Sequence, residues 1–254
     1  MQETVADYQS RVQAETEQAP AGRYFVRLNR AERVQHMILV ACFVILVLTG
    51  FMIKIPEEMV KSLGTTGEMV FQYRSLLHRT AGTVLILVSI YHVYYLIFKA
   101  AGRRWLMDML PRPKDLKDMR DTLFYYIGIK NQPPEFDRFS YKQKMEYGAL
   151  IVGNTLMAAT GLLMWTESMW PKFIVDIASV VHGMEAILAC LALILWHLYE
   201  IHLGPHKNPF NNMWVTGLMS EDELKAEHPL HYKKIMANSE LQKVYLQQKR
   251  PHER

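Results

Sequence analysis

Cysteine is nearly absent, with Cys42 and Cys190 the only two among 254 residues. Both fall in the middle of apolar runs, where a thiol behaves as a small hydrophobe. A disulfide framework and a thiolate metal site are thereby excluded. An excess of charge is missing too: 29 Lys and Arg are nearly balanced by 25 Asp and Glu, leaving a formal +4. That gives a nucleic-acid partner no footing. The chain has no internal repeat, no long low-complexity tract and no small-residue cleavage site. Its first apolar run begins only at residue 34 and is longer than the core of a secretory signal, so it is expected to remain as a membrane span.

What the chain has in abundance is apolar residues, 50% of the total, and they are concentrated. Four runs, at about 34–53, 77–98, 147–165 and 177–201, each approach the twenty or so residues that cross about 30 Å of hydrocarbon. Charged connectors separate them. The expected fold is all-α, an integral membrane four-helix bundle embedded in the lipid bilayer. Lysine and arginine set its orientation, because basic loops stay on the cytoplasmic side. Arg11, Arg23, Arg27, Arg30 and Arg33 precede the first span, and a dense set of cations from Lys99 to Lys144 joins the second to the third. The connectors 56–74 and 166–176 carry few uncompensated cations. Both termini are therefore expected inside, N-in and C-in, with residues 1–28 a partly disordered cytoplasmic segment, 29–203 the four-span unit and 204–254 a cytoplasmic tail.

Outside the bilayer, "MLPRPKDLKDMRDTLFYYIG" reads as a proline-led amphipathic helix with Leu116, Met119, Leu123 and Tyr126 at helical spacing. "NQPPEFDR" is a turn-rich break. In the tail, "SEDELKAE" begins a helix with a serine cap and a glutamate three positions on.

The spans hold histidines, which are costly in hydrocarbon unless something binds them. In "LLHRTAGTVLILVSIYHVYYLIF", residues 76–98, His78 and His92 lie fourteen residues apart; in the fourth span His182 and His197 lie fifteen apart. At about 1.5 Å and 100° per residue, each pair shares roughly one helix face and is separated by about 21 Å. Two histidine levels result, one near each membrane surface, with His36 joining the inner one. Paired imidazoles from facing helices at two depths are what two stacked haems require, each iron held by two axial ligands. Gly50, Gly82, Gly161 and Gly183 give room for a bulky partner, and Arg79 is placed to meet a haem propionate. His202 is a weaker alternative ligand. His202, His206, His228, His231 and His252 are otherwise expected to be solvated, and Tyr91, Tyr94 and Tyr95 to form an interfacial belt.

"RLNRAERVQHMILVACFVILVLTG", "LLHRTAG", "YKQKMEYGALIVGNTLMAATGLLMW" and "VVHGMEAILACLALILWHLYEIHL" together resemble the membrane-anchored cytochrome b subunits of formate dehydrogenase (gamma subunit) and of related thiosulfate-reductase and Ni,Fe-hydrogenase complexes. The tail resembles that group in Gly217, Ser220, His228, Pro229 and Tyr232. The similarity covers roughly residues 28–236. It implies a protein with two haem b in a bacterial or archaeal inner membrane, passing electrons between a redox subunit on the outer face and a quinone, menaquinone or ubiquinone, near the inner haem. The partner subunit would carry iron–sulfur clusters, molybdopterin or multihaem cytochrome c. By the same resemblance His78 and His182 would hold the outer haem iron, and His36 and His197 the inner one. His92 is an additional histidine and an alternative inner ligand. Ser140 and Gln143, in the stretch "FSYKQKM" before the third span, fall at the family's quinone-contacting positions, where Ser140 replaces the usual asparagine and Lys142 a glycine. The fifteen-residue step in the fourth span departs from the family's fourteen.

Covalent chemistry is expected on a partner chain, since the outer connectors leave little room for a catalytic domain. Lys142, Lys144 and Glu146 are candidates for handling the protons that accompany quinone chemistry. A stand-alone transmembrane haem reductase, and a haem-free transporter or scaffold using its histidines as proton relays, are the competing readings.

Overall fold

The computed structural model describes residues 23–203 and 211–247. Its first long helix, α1, Arg30–Phe51, starts at Asn29. The Asn29 side chain accepts from the Glu32 amide at 3.0 Å, and the Glu32 carboxylate takes the Asn29 amide at 2.8 Å. This capping box satisfies donors that the first turn leaves open. A 3-10 turn, Met52–Lys54, and the short α2, Glu57–Ser62, lead into α3, Thr65–Phe98. The helix begins well before the apolar run at 77, because residues 65–76 are helical but too polar to stand out as membrane-spanning. After α4, Ala100–Met109, and α5, Pro113–Tyr126, the chain returns through α6, Tyr141–Trp165, and α7, Lys172–Ala192. From Leu193 to Leu203 the last span continues as a π-helix.

These four spans are long and apolar enough to cross a membrane, and the protein is an integral membrane four-helix bundle. Much of their apolar surface faces outward, with fractional exposures of 60% at Leu87 and 69% at Leu195; a bilayer covers such a surface and water does not. Packing is uneven. α1 lies along α3 and α6 lies along α7, while the two pairs touch one another at few points. The bundle is thus two helical hairpins with a cleft between them.

Beside the Arg30 end of α1 sits a cap. β1, Tyr24–Val26, is the central strand of a three-stranded antiparallel sheet, flanked by β2, Leu218–Ser220, and β3, Leu246–Gln247. Around it fold α8, Met213–Thr216, α9, Glu221–Glu227, α10, Pro229–Ala237, and α11, Ser239–Tyr245. Ser220 and Glu223 close the expected capping box at the head of α9. Phe25, Met219, Leu224, Ile235 and Tyr245 form a buried core. Gly217 ends α8 at φ +77°, and its carbonyl accepts from the Arg27 amide at 2.8 Å and the Leu28 amide at 3.2 Å. A Cβ there would lie 2.3 Å from the Leu28 carbonyl oxygen, so only glycine fits this close approach.

The cap corrects the sequence reading of the tail histidines. His202, His228 and His231 are 7%, 3% and 6% exposed, because the tail folds back onto β1 and the connector; His206 and His252 lie outside the described residues, as does most of the N-terminal segment. The His228 Nδ1–H donates to the Asp137 carbonyl at 2.7 Å, and its Nε2 accepts from Arg27 at 3.1 Å. Arg27 also donates to the Arg138 carbonyl at 2.7 Å.

Burial, reinforced by the Arg27 and Arg138 charges, pushes the His231 imidazole from 6.5 down to about 3. The unfolded cap takes up this proton near pH 6.5 and the folded cap does not, so the contribution is complete above pH 6.5 and lost as pH falls toward 3. The slope is at most about 1.4 kcal/mol per pH unit. Between pH 7 and pH 5, amide exchange across residues 218–247, corrected for its intrinsic rate, is expected to accelerate, and His231→Asn to flatten the dependence. A flat profile in the unaltered protein contradicts this account.

Candidate functional site

The cleft between the hairpins is where the span histidines meet. At the level far from the cap, His78 of α3 faces His182 of α7 with ring centroids 6.4 Å apart and planes inclined by 62°. Nearer the cap, His36 of α1 faces His197 of the π-helical segment at 6.3 Å and 40°. The extra residue between His182 and His197 is absorbed by the π-helix, whose wider turns take up one more residue without moving the second histidine off the cleft.

Each level is oriented from within a hairpin. His78 Nδ1 lies 2.8 Å from Thr49 Oγ1, and His182 Nδ1 lies 2.9 Å from Thr160 Oγ1. Both threonine hydroxyls already donate to the carbonyl one turn back, to Ile45 and Leu156 at 2.6 Å. A hydroxyl has one proton, so the ring must donate from Nδ1. This fixes the tautomer and leaves each Nε2 lone pair for the cleft. Next to each threonine is a glycine: a Cβ at Gly50 would stand 3.5 Å from His78 Cε1, and one at Gly161 3.4 Å from His182 Cε1. A Cβ at either position would stand in van der Waals contact with the ring. His197 is held differently, with Nδ1 2.6 Å from the Glu146 carboxylate.

This geometry suits a metal held axially. Two imidazoles on opposite sides of one ion, each bonded at about 2 Å, have ring centres about 6 Å apart, matching both levels. Each level supplies two such ligands, and no group of three or more His, Cys, Asp or Glu side chains comes together among the described residues. A six-coordinate ion there must bring its remaining ligands with it, as a macrocycle does. Unpartnered buried nitrogens add to the fit: Arg74 Nε at the far level, and Arg33 Nε, His36 Nδ1 and Trp214 Nε1 at the near one. They are donors suited to the carboxylates of such a group.

Other expected site residues are placed less centrally. Arg79 lies with its guanidinium 5.4 Å over the Trp165 ring and is exposed. Arg74, one turn before His78 on the same face, donates to the Thr49 carbonyl at 3.1 Å. His92 has both ring nitrogens taken, by Gln35 at 2.8 Å and by Tyr147 at 3.0 Å. Ser140 and Gln143 close the capping box at the head of α6, the Gln143 carbonyl oxygen taking the Ser140 amide at 3.0 Å. Lys144 is buried against Asp115 at 2.8 Å, while Lys142 reaches Glu200 at 2.9 Å. Tyr95 departs from the interfacial belt. It is buried, with its hydroxyl donating to Glu32 at 2.9 Å and accepting from Asn29 at 2.7 Å.

The threonines were missed by sequence reasoning, although a signal existed: Thr-Gly recurs at 49–50 and 160–161, once in each hairpin's first helix. Glu185 was missed as well. Its Oε1 would sit 2.4 Å from a Cβ at Gly153, so this intramembrane carboxylate rests on the backbone of α6.

Residues 27–214 match the sequence model of the family described as prokaryotic cytochrome b561. Among curated relatives, the cytochrome b556(fdo) subunit of formate dehydrogenase from Escherichia coli strain K12 is 22% identical over 226 residues, 85% of this chain and 95% of that protein. The cytochrome b556(Fdn) subunit of the nitrate-inducible formate dehydrogenase of the same strain is 21% identical over 218 residues, 84% of this chain and 92% of that protein.

Proposed function

The chain belongs to the prokaryotic cytochrome b561 family, a membrane-embedded electron-transfer cytochrome of the haem b type, and on that premise we propose that it is the dihaem anchor subunit of an oxidoreductase complex. It would pass electrons between a redox subunit on the far face and the quinone pool at the near level, with both termini cytoplasmic. The observation that carries this is the pair of facing imidazoles at each of two depths, 6.4 Å and 6.3 Å between ring centres. The relatives' names, both formate dehydrogenase subunits, favour an anchor over a stand-alone reductase. They also point to a dehydrogenase partner, which on the resemblance of the sequence would carry iron–sulfur clusters.

When bound, haem b supplies a one-electron carrier at each level. His78 and His182 would hold the far one, His36 and His197 the near one. Thr49 and Thr160 keep the far imidazoles in the Nδ1–H tautomer, so that Nε2 is presented. Arg74 has an open donor for a far propionate and replaces Arg79 in that role; Arg33 and Trp214 have open donors for a near one. His92, tied on both nitrogens, braces α3 against α1 and α6 and is no ligand in this assignment. The Glu146 carboxylate lies 2.6 Å from His197 Nδ1, and Lys142 with Glu200 places a second ionisable pair beside it. These groups would exchange protons with quinone, and the Gln143 amide would orient it.

Four outcomes test this reading. A pyridine haemochrome assay should count about two haems per chain, the number of facing imidazole pairs that bis-histidine ligation can fill. His78→Ala and His182→Ala should lose the same haem, His36→Ala and His197→Ala the other, and His92→Ala neither. Removing the carboxylate in Glu146→Gln should raise the near-level midpoint potential by about 60 mV, roughly 1.4 kcal/mol for one electron, with the far one unmoved; an unchanged redox titration removes Glu146 from this role. Gln143→Glu keeps the capping oxygen but loses the amide donor. Quinone turnover should fall with haem spectra and thermal stability intact, and full activity would take Gln143 out of the quinone site.

A further inference from the structure

Helix α5 is inside out. At 100° per residue, Leu116, Met119, Leu123 and Tyr126 fall within an arc of about 80°, and this apolar face is 43–70% exposed. Asp118 and Asp121, on the opposite face, are buried at 6% each, as is Thr122 at the edge of the apolar face. Asp118 and Asp121 line a groove with the loop and tail residues Pro134, Glu135 and Leu230. A helix standing in water would be turned the other way, so something apolar covers the outward face.

Its position says what. Asp115 in the first turn of α5 bonds Lys144 at 2.8 Å, and Tyr126 at the last turn lies within electrostatic reach of Lys142. Lys142 and Lys144 are two residues apart in the first turn of α6, about 200° around its axis. A helix that reaches both lies across the head of α6, along the plane where that span enters the membrane. The cap packs on its polar side, leaving the apolar side to the bilayer.

Charge agrees. Between residues 99 and 144 eleven cations face six carboxylates. All six are engaged inside the protein: Asp108 by Arg138, Asp115 by Lys144, Asp118 by Lys114, Asp121 by Lys130, Glu135 by Lys233 and Asp137 by Lys234. Lys117, Arg104 and Lys99 enter none of these ion pairs. No bare carboxylate is turned toward the leaflet, and the surplus cations suit anionic headgroups.

We propose that α5 is an interfacial helix whose Leu116, Met119, Leu123 and Tyr126 side chains lie in the boundary between headgroups and acyl chains, in the leaflet on the side of the cap. This holds independently of what fills the cleft. The full chain, with Cys42→Ala and Cys190→Ala, is labelled with an environment-sensitive fluorophore at Leu123→Cys, at Leu116→Cys as an independent second position, and at Lys243→Cys on the cap. It is then reconstituted in vesicles of mixed zwitterionic and anionic phospholipid. Labels at 123 and 116 are expected to emit further to the blue and to be quenched several-fold more by spin-labelled acyl chains than the label at 243, and less by an aqueous nickel chelate. Aqueous quenching at 123 and 116 equal to that at 243 overturns the proposal. So does protection that appears only when a partner subunit is co-reconstituted, since the face would then belong to a protein.

Discussion

A polar nitrogen inside a bilayer has no water to turn to, and the architecture follows from how His78, His182 and His197 meet that constraint, while His36 Nδ1 has no partner in the protein. One ring nitrogen is satisfied within its own hairpin: His78 by Thr49, His182 by Thr160, His197 by Glu146. The opposite side of each ring is turned across the cleft to the other hairpin. Contacts inside a hairpin therefore orient, and contacts between hairpins are left for binding. This division explains why α1 with α3, and α6 with α7, pack closely while the hairpins meet at few points. Helices that closed on each other would leave no room between the rings.

Much of this could be read in the sequence. Apolar runs located the spans, and histidine spacing located the two levels, because both signals are periodic and long. Local polarity hid the start of α3, since residues 65–76 are helical without being apolar. Arg79 drew attention as the neighbour of His78, but adjacent residues on a helix point about 100° apart, and Arg74, a turn away, shares the histidine's face. Threonine gave little warning because its hydroxyl commonly bonds back to its own helix; here it does so and accepts from an imidazole at the same time. Nor did the tail histidines announce their burial. His228 and His231 are enclosed only because residues far apart in sequence, 24–26 and 218–220, pair as strands.

The fifteen-residue step from His182 to His197 shows local and global demands being reconciled. In an uninterrupted α-helix fifteen residues leave His197 about 60° around the axis from His182, where fourteen leave about 40° on the other side. A π-helix has lower intrinsic stability and appears where function favours it, and here it covers residues 193–203, which contain the displaced histidine. Sequence periodicity alone cannot reveal such a segment, since the composition of "LILWHLYEIHL" is that of an ordinary span.

The two levels differ in the groups that surround them. At the far level both imidazoles are tied to neutral hydroxyls, which fix orientation and cannot exchange protons at ordinary pH. At the near level the partner of His197 is a carboxylate, with a lysine–glutamate pair, Lys142 and Glu200, close by. The near level also joins the cap through Arg33, which donates to the Val215 carbonyl at 2.5 Å, and through the His202 ring, 6.2 Å from both His197 and Trp214. A carrier that only relays electrons is served by the first kind of surroundings. The proposed exchange with quinone calls for the second kind, a carboxylate and an ionisable pair, and these lie on the side where the chain has built its cap.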